Sequence, residues 1–212
     1  MAWLNFPGKT PPESPARSQR LDIPLFPLGT VLFPGGVLSL KVFEQRYLDM
    51  AAACLKSGAP FGVCLIASGK EVGETAQPHP VGTLARIGSA DMLQLGILML
   101  EVRGDRRFRI LSQTTMPDGL LCAQVELFDE PAQGVPPAQL GLLPLLRKVA
   151  ADLGPAKMPE PHAFDDAAWV GYRLAEVVPV QPLARQKLLE LENPLSRLEI
   201  LHAYLAQRKL VA

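Results

Sequence analysis

Residues 21–50 read LDIPLFPLGTVLFPGGVLSLKVFEQRYLDM, and this stretch restricts the fold more than any other. Ile23, Leu25 and Leu28 make an apolar strand interrupted by Pro24 and Pro27. Each proline fixes φ and removes a backbone donor, so the spacing predicts an edge or end strand. Val31, Leu32 and Phe33 form a short buried run, which Pro34-Gly35-Gly36 stops. Leu38, Leu40 and Val42 then alternate with Ser39 and Lys41, the period of a strand with one buried face. After Phe43 the period changes. Tyr47, Met50, Ala51 and Cys54 fall on one helical face, and Gly58 is a natural stop.

The same reading continues along the chain. Phe61 to Ile66 has strand length, residues 67–80 are loop, and Val81 to Ile87 alternates as a strand. Residues 93–111 read as a hairpin turning at Gly104-Asp105, and Leu121 to Phe128 closes the β-rich part. Residues 129–138 read as a linker, and the pattern beyond is helical. One helix runs from Leu140 to Leu153, with Pro144 in its first turn and Gly154 as its stop. A second is capped by Asp165 or Asp166 and carries Trp169, Tyr172 and Leu174. A third begins at Pro182, and Asn193-Pro194 opens a fourth with Leu195, Leu198, Leu201 and Leu205 on one stripe. The expected organisation is a flexible tail over 1–20, a β-rich subdomain over 21–128 and a helical subdomain over 129–212. Trp3, Leu4 and Phe6 are unusual in a proline-rich tail. Two readings stand for them: docking on this chain or a neighbour, or remaining loose.

With 212 residues the chain can bury a core without disulfides. Its 21 basic and 21 acidic residues cancel, which argues against capture of nucleic acid or an anionic membrane as the main activity. No apolar run has membrane-spanning length and the N-terminus lacks a secretory pattern, so a cytoplasmic protein is expected. Cys54, Cys64 and Cys122 are odd in number and set among apolar residues, as buried free thiols in a reducing compartment would be.

Three motifs of the opening stretch carry a resemblance. They are P-L-F-P-L at 24–28, V-L-F-P-G at 31–35, and F-E-x-R-Y-x-x-M at 43–50. Together they closely resemble the start of the Lon protease amino-terminal domain, that family's substrate-binding region. F-G-V at 61–63, V-G-T-x-A-x-I at 81–87, Gly104 with R-F-R-I at 107–110, and Q-x-L-L-E at 186–190 extend the likeness to about residue 205. The resemblance implies an α+β fold: a PUA-like bent β-barrel or sheet with one helix, followed by a C-terminal helical bundle. It implies a non-catalytic module that binds protein or peptide segments. Since the chain stops at Ala212, the ATPase and serine–lysine protease modules are not expected.

The residues themselves offer no chemistry. Gly69-Lys70 is followed by Glu71, not the hydroxyl residue a phosphate loop needs. His79, His162 and His202 lack metal-ligand spacing, so no cofactor, metal or catalytic residue is expected. Arg103 to Arg109 reads either as a contact surface for an acidic partner or RNA, or as a hairpin with solvated arginines. Glu44 and Arg46 read either as a structural pair, Arg46 with a carboxylate from a neighbouring strand, or as a peptide contact. The partner-binding candidates, chosen for a presumed exposed edge, are Phe26, Phe33, Arg46, Arg86 and Arg107. Expected partners are unfolded or exposed segments of other proteins, together with a protease or chaperone. Self-association stays open. The alternative is RNA binding through the barrel; an enzyme on a small metabolite has no legible residues.

Overall fold

The computed structural model describes residues 19–211 apart from 72, 74, 75 and 131. The expectation for Trp3, Leu4 and Phe6 lies outside the described residues. The order is β1 (Arg20–Leu28), β2 (Val37–Val42), α1 (Gln45–Ser57), β3 (Phe61–Ser68), β4 (Gln77–Pro78), β5 (Val81–Gln94), β6 (Ile97–Thr115) and β7 (Leu121–Leu127). A 3₁₀ turn (Pro137–Gln139) then leads into α2 (Leu142–Leu153), α3 (Ala167–Val177), α4 (Pro182–Glu190) and α5 (Pro194–Gln207). The fold is α+β, as the periodicities require.

The strands run in the order β1-β7-β6-β5-β3-β4, and an additional β1–β3 pairing closes the ring. Closure corrects the expectation that β1 is an edge. β1 pairs antiparallel to β7 over residues 20–25 and parallel to β3 over 25–28. Pro24 therefore lies in the half facing only β7, and Pro27 in the half facing only β3. A strand handed from one neighbour to the next tolerates a missing N–H in each half.

β6 makes the same kind of exchange. Residues 98–103 pair with β2, and residues 108–115 pair with β7. The hairpin turn joining β5 to β6 lies at Leu95-Gly96, not at Gly104-Asp105. Gly104 sits inside β6, where its N–H donates to the Gly36 carbonyl at 2.8 Å and its carbonyl accepts from Gly35 N–H at 2.8 Å. A Cβ at Gly104 would overlap the Phe33 carbonyl oxygen, which is why glycine stands there. The Pro34-Gly35-Gly36 turn is thus stapled to the point where β6 changes neighbour.

Helix boundaries follow their caps. Asp166 accepts from the Trp169 N–H at 2.7 Å, and Asn193 accepts from the Leu195 N–H at 2.8 Å. Gly58 takes the left-handed conformation at φ 69° to end α1. α1 lays Tyr47, Met50, Ala51 and Cys54 against Phe26, Leu40, Val42 and Leu100 in one core cluster. The helices make another cluster, and Val31, Phe33, Leu65 and Val81 of the β-rich part enter it. Phe33 is the deepest of these anchors, and burying such a ring stabilises by about 1.5–3 kcal/mol.

Polar side chains fasten this joint. Arg107 is 1% exposed. Its Nε donates to Glu130 at 2.5 Å, and its Nη1 donates to the carbonyls of Leu189 and, at 2.8 Å, Leu191. Tyr172 donates its hydroxyl to the other Glu130 oxygen at 2.6 Å. Arg197 stacks over the Tyr172 ring at 4.1 Å and donates to the carbonyls of Leu188 and Leu191. Two guanidiniums thereby satisfy the carbonyls that end α4. Gln186, from the Q-x-L-L-E segment, donates to the Val81 carbonyl at 3.0 Å and ties α4 to β5.

Candidate functional site

β2 pairs with β6 alone among the described strands. Its other edge carries a row of backbone donors and acceptors with no strand beside it. The loop before it is held rigid. The Thr83 hydroxyl donates to the Leu32 carbonyl at 2.7 Å, Arg173 Nη2 donates to the Pro34 carbonyl at 2.6 Å, and the Phe33 ring lies 5.9 Å from Tyr172. An edge whose position is fixed from behind is pre-organised for a partner.

Two grooves flank this edge and share Thr30 and Leu38 in their walls. The first, of about 380 Å³, has an apolar floor of Phe26, Leu28, Leu40, Val42 and Tyr47. Phe26 and Tyr47 stack there with centroids 4.1 Å apart. Lys41, Glu44 and Glu71 form its polar rim, and Phe43, 48% exposed, stands at its end. The second groove, of about 400 Å³, runs between β2 and the helices, with Phe33, Leu153, Met158 and Val177 as apolar lining. Glu176, Arg185 and Lys157 supply its charge. Burial pushes the Glu176 carboxyl up to about 7, although Arg173 at 2.8 Å and Arg185 pull the other way. Desolvation of a carboxylate outweighs the pairing. Both volumes fall within the roughly 300–1,000 Å³ of ordinary ligand clefts.

Beyond Phe43 the β5–β6 hairpin carries a further apolar surface. Met92 and Leu95 are exposed, Leu95 by 97%. Met92 lies across from Leu98, which in turn lies across from Val42, so the hairpin tip and the end of β2 belong to one sheet.

The five sequence candidates separate. Phe26 is on the floor of the first groove and Phe33 on that of the second; both are buried, not displayed on an edge. Arg46 pairs with Glu44 at 2.9 Å, two residues before it, instead of with a neighbouring strand, and donates to the Gly119 carbonyl at 2.9 Å. Glu44 caps α1 by position without a side-chain capping bond, because its carboxylate is spent on Arg46. Arg86 is exposed and pairs with Asp105 at 2.9 Å. Arg107 is the buried strut of the joint. The sequence reading missed Leu38, Lys41 and Phe43. Their signal was present: an alternating strand with no internal proline directly after a Pro-Gly-Gly turn.

The geometry is an open strand edge between two grooves on a braced scaffold, and among the described residues no three of His, Cys, Asp and Glu gather as metal ligands. Comparison with known proteins agrees on the class. The model of the ATP-dependent protease La (LON) substrate-binding domain matches residues 22–207, and the chain belongs to that family. Lon protease 2 of Herpetosiphon aurantiacus is 28% identical over 198 residues, which cover 88% of this chain and 24% of that protein. The chain thus spans about a quarter of the length of this relative. The crystal structure of a Lon N-terminal domain protein from Xanthomonas campestris is 36% identical, with a TM-score of 0.73 over 87% of this chain and 98% of the other. The N-terminal domain of the Mycobacterium avium complex Lon protease, at 18% identity, shares the fold with a TM-score of 0.61 over 88% of this chain and 98% of its own. Among the described residues no helix is long and apolar enough to cross a membrane.

Proposed function

We propose that this chain is a non-catalytic module that holds unfolded or exposed apolar segments of other proteins in cytoplasmic quality control. A segment lies extended along the free edge of β2 and sets alternate side chains into the two grooves. Backbone pairing gives affinity for any sequence, and the apolar floors favour aromatic and aliphatic side chains. The unpartnered β2 edge between two apolar grooves carries this reading. Membership of a substrate-binding domain family supports it. Phe26 contacts the segment from the floor of the first groove, while Phe33, Arg46 and Arg107 hold the scaffold. Lys41 keeps the edge from pairing with another copy of itself. A protease or chaperone receives the bound segment.

The test is a titration of the protein into a labelled, permanently unfolded model protein, followed by anisotropy, with a folded control. Saturable binding to the unfolded chain alone is expected, with about tenfold weakening by Phe43→Glu. A flat titration at high micromolar protein refutes the reading. The RNA alternative loses Arg107, which is buried, while Arg86 and Arg109 are ion-paired and Arg106 bonds Gln19 and the Phe128 carbonyl.

A further inference from the structure

We infer that the second groove takes the free C-terminal carboxylate of a bound segment between Arg185 and Lys157, so that the segment runs antiparallel to β2 and ends on an apolar side chain. The inference rests on the reading of the β2 edge as a site for extended segments. It gives that site a direction and a class of ligand, chains with an apolar C-terminus.

The backbone fixes where a paired segment stops. β2 offers its free edge from Val37 to Val42. Upstream of Val37 the polar groups are already used. Gly36 N–H donates to the Phe33 carbonyl at 2.9 Å, its carbonyl accepts from Gly104 N–H at 2.8 Å, and Gly35 N–H donates to the Gly104 carbonyl at 2.8 Å. The carbonyls of Leu32 and Pro34 accept from Thr83 and Arg173. The Glu176 carboxylate packs so closely on Gly36 that a Cβ there would overlap it. An antiparallel partner therefore brings its C-terminal end to Val37, and a parallel one its N-terminal end.

Charge chooses between the two. Val37 lines the second groove together with Lys157, Glu176 and Arg185. Glu176 is paired with Arg173 at 2.8 Å. Lys157 is exposed and has no ion pair among the described residues. Arg185 is near enough to pull on the Glu176 carboxyl but makes no ion pair with it. Its Nη2 reaches the Val178 carbonyl at 3.4 Å, and its Nε is buried without a partner. Arg103, across from Val37 on β6, adds positive charge near Arg173. The neighbouring carboxylates are placed elsewhere: Asp152 faces Lys148 at 3.8 Å, Glu101 lies across from Ser39, and Glu160 lines a separate hollow.

Arg185 and Lys157 thus stand beyond the groove's own ion pair. A carboxylate there gains charge-assisted hydrogen bonds, whereas an N-terminal ammonium meets like charge. At the far end of β2 no such preference arises, because Lys41 offsets Glu71 and Glu44 is already paired with Arg46 at 2.9 Å. Leu153, 42% exposed, and Val177 give the last side chain its apolar wall.

The probe is a short peptide of alternating Leu and Ser that ends in Phe and carries a dye at its N-terminus. Anisotropy compares it as the free acid, as the C-terminal amide, and as an amide with Asp in place of the final Ser. The free acid should bind about tenfold more tightly than either amide. Lys157→Gln, at an exposed position, should narrow the gap with an unchanged unfolding midpoint, and adding Arg185→Gln should erase it while the amide still binds. A benzophenone in place of the terminal ring should crosslink within residues 153–158 or 176–185, not 41–47. Equal affinity of free acid and amide overturns the inference and leaves segment holding intact. So does an Asp-containing amide that matches the free acid, which makes the ligand a side-chain carboxylate, a gap that survives the double substitution, or a crosslink at the Phe43 end. Binding of the unfolded model protein without binding of any peptide also overturns it, and binding of neither overturns the segment-holding reading as well.

Discussion

At the joint between barrel and helices, Arg107 and Arg197 take up the carbonyls that end α4, whereas along β2 a row of backbone groups faces outward beside two open grooves. Both regions present unfinished backbone. The joint finishes its own with buried guanidiniums, the stack of Arg197 on Tyr172 and a shared carboxylate. The β2 edge leaves its own unfinished but is braced from behind by Thr83, Arg173 and Gly104. The difference teaches that the buried arginines of this fold serve position, while the proposed recognition falls to the apolar edge. Substitutions in the two regions should therefore separate stability from binding.

The largest effect is expected at the joint. Arg107→Met leaves the Leu189 carbonyl without this donor and Glu130 without its cation, with only Tyr172 still bonded to it, while the Leu191 carbonyl keeps Arg197. Removing one member of a buried ion pair costs about 3–5 kcal/mol. Urea unfolding should show a lower midpoint with an unchanged slope. A loss below about 1 kcal/mol would mean that the joint is not held by this side chain.

Gly104→Ala comes next. The new Cβ overlaps the Phe33 carbonyl, a backbone atom that the stapled turn cannot move aside, and overpacking of this kind costs about 1–3 kcal/mol. Because the same turn sets the start of β2, segment binding should weaken along with stability, the one substitution that moves both sides of the comparison.

Glu176 tests the second groove through pH. Its folded carboxyl is raised to about 7 by burial, above the ordinary value of 4.5. A raised carboxyl means that the folded state holds the proton more tightly than the unfolded state. Its contribution to stability is full below about pH 4.5 and is lost as pH rises through about 7. Some 23% of the side chain is open to water, so the realised change is about 1–2 kcal/mol. Glu176→Gln should flatten the stability profile between these values, measured as the denaturation midpoint against pH. A profile unchanged by the substitution would show that the carboxyl is hydrated in solution.

Much of this was legible because it depends on local periodicity. The caps at Asp166 and Asn193, the stop at Gly58 and the α1 face that carries Tyr47 and Met50 all follow from residues within a turn of one another. The motifs of the opening stretch also point to the family. What stayed hidden was long-range. Nothing local to Pro24 or Pro27 says that β1 changes partner at Leu25, and nothing local to Gly104 says that the Phe33 carbonyl presses on it. Arg107 read as a surface cation for the same reason: its partners come from 23 to 84 residues away. Of the site, the two phenylalanines were singled out but placed on an edge, whereas the edge itself is β2, whose unpaired side only the topology reveals.

The smallest effect on stability, and the sharpest break of the comparison, is expected from Phe43→Glu. The ring is about half exposed at the end of the first groove and makes no part of the joint. Surface changes of this kind stay within about 0.5 kcal/mol. Yet a carboxylate placed at the mouth of an apolar groove, on a rim that already carries Glu44 and Glu71, penalises every apolar segment that would enter. Affinity for the unfolded model protein should fall about tenfold with the unfolding midpoint unchanged. If stability falls as well, Phe43 belongs to the scaffold, and recognition must be sought at the Met92 and Leu95 hairpin tip instead.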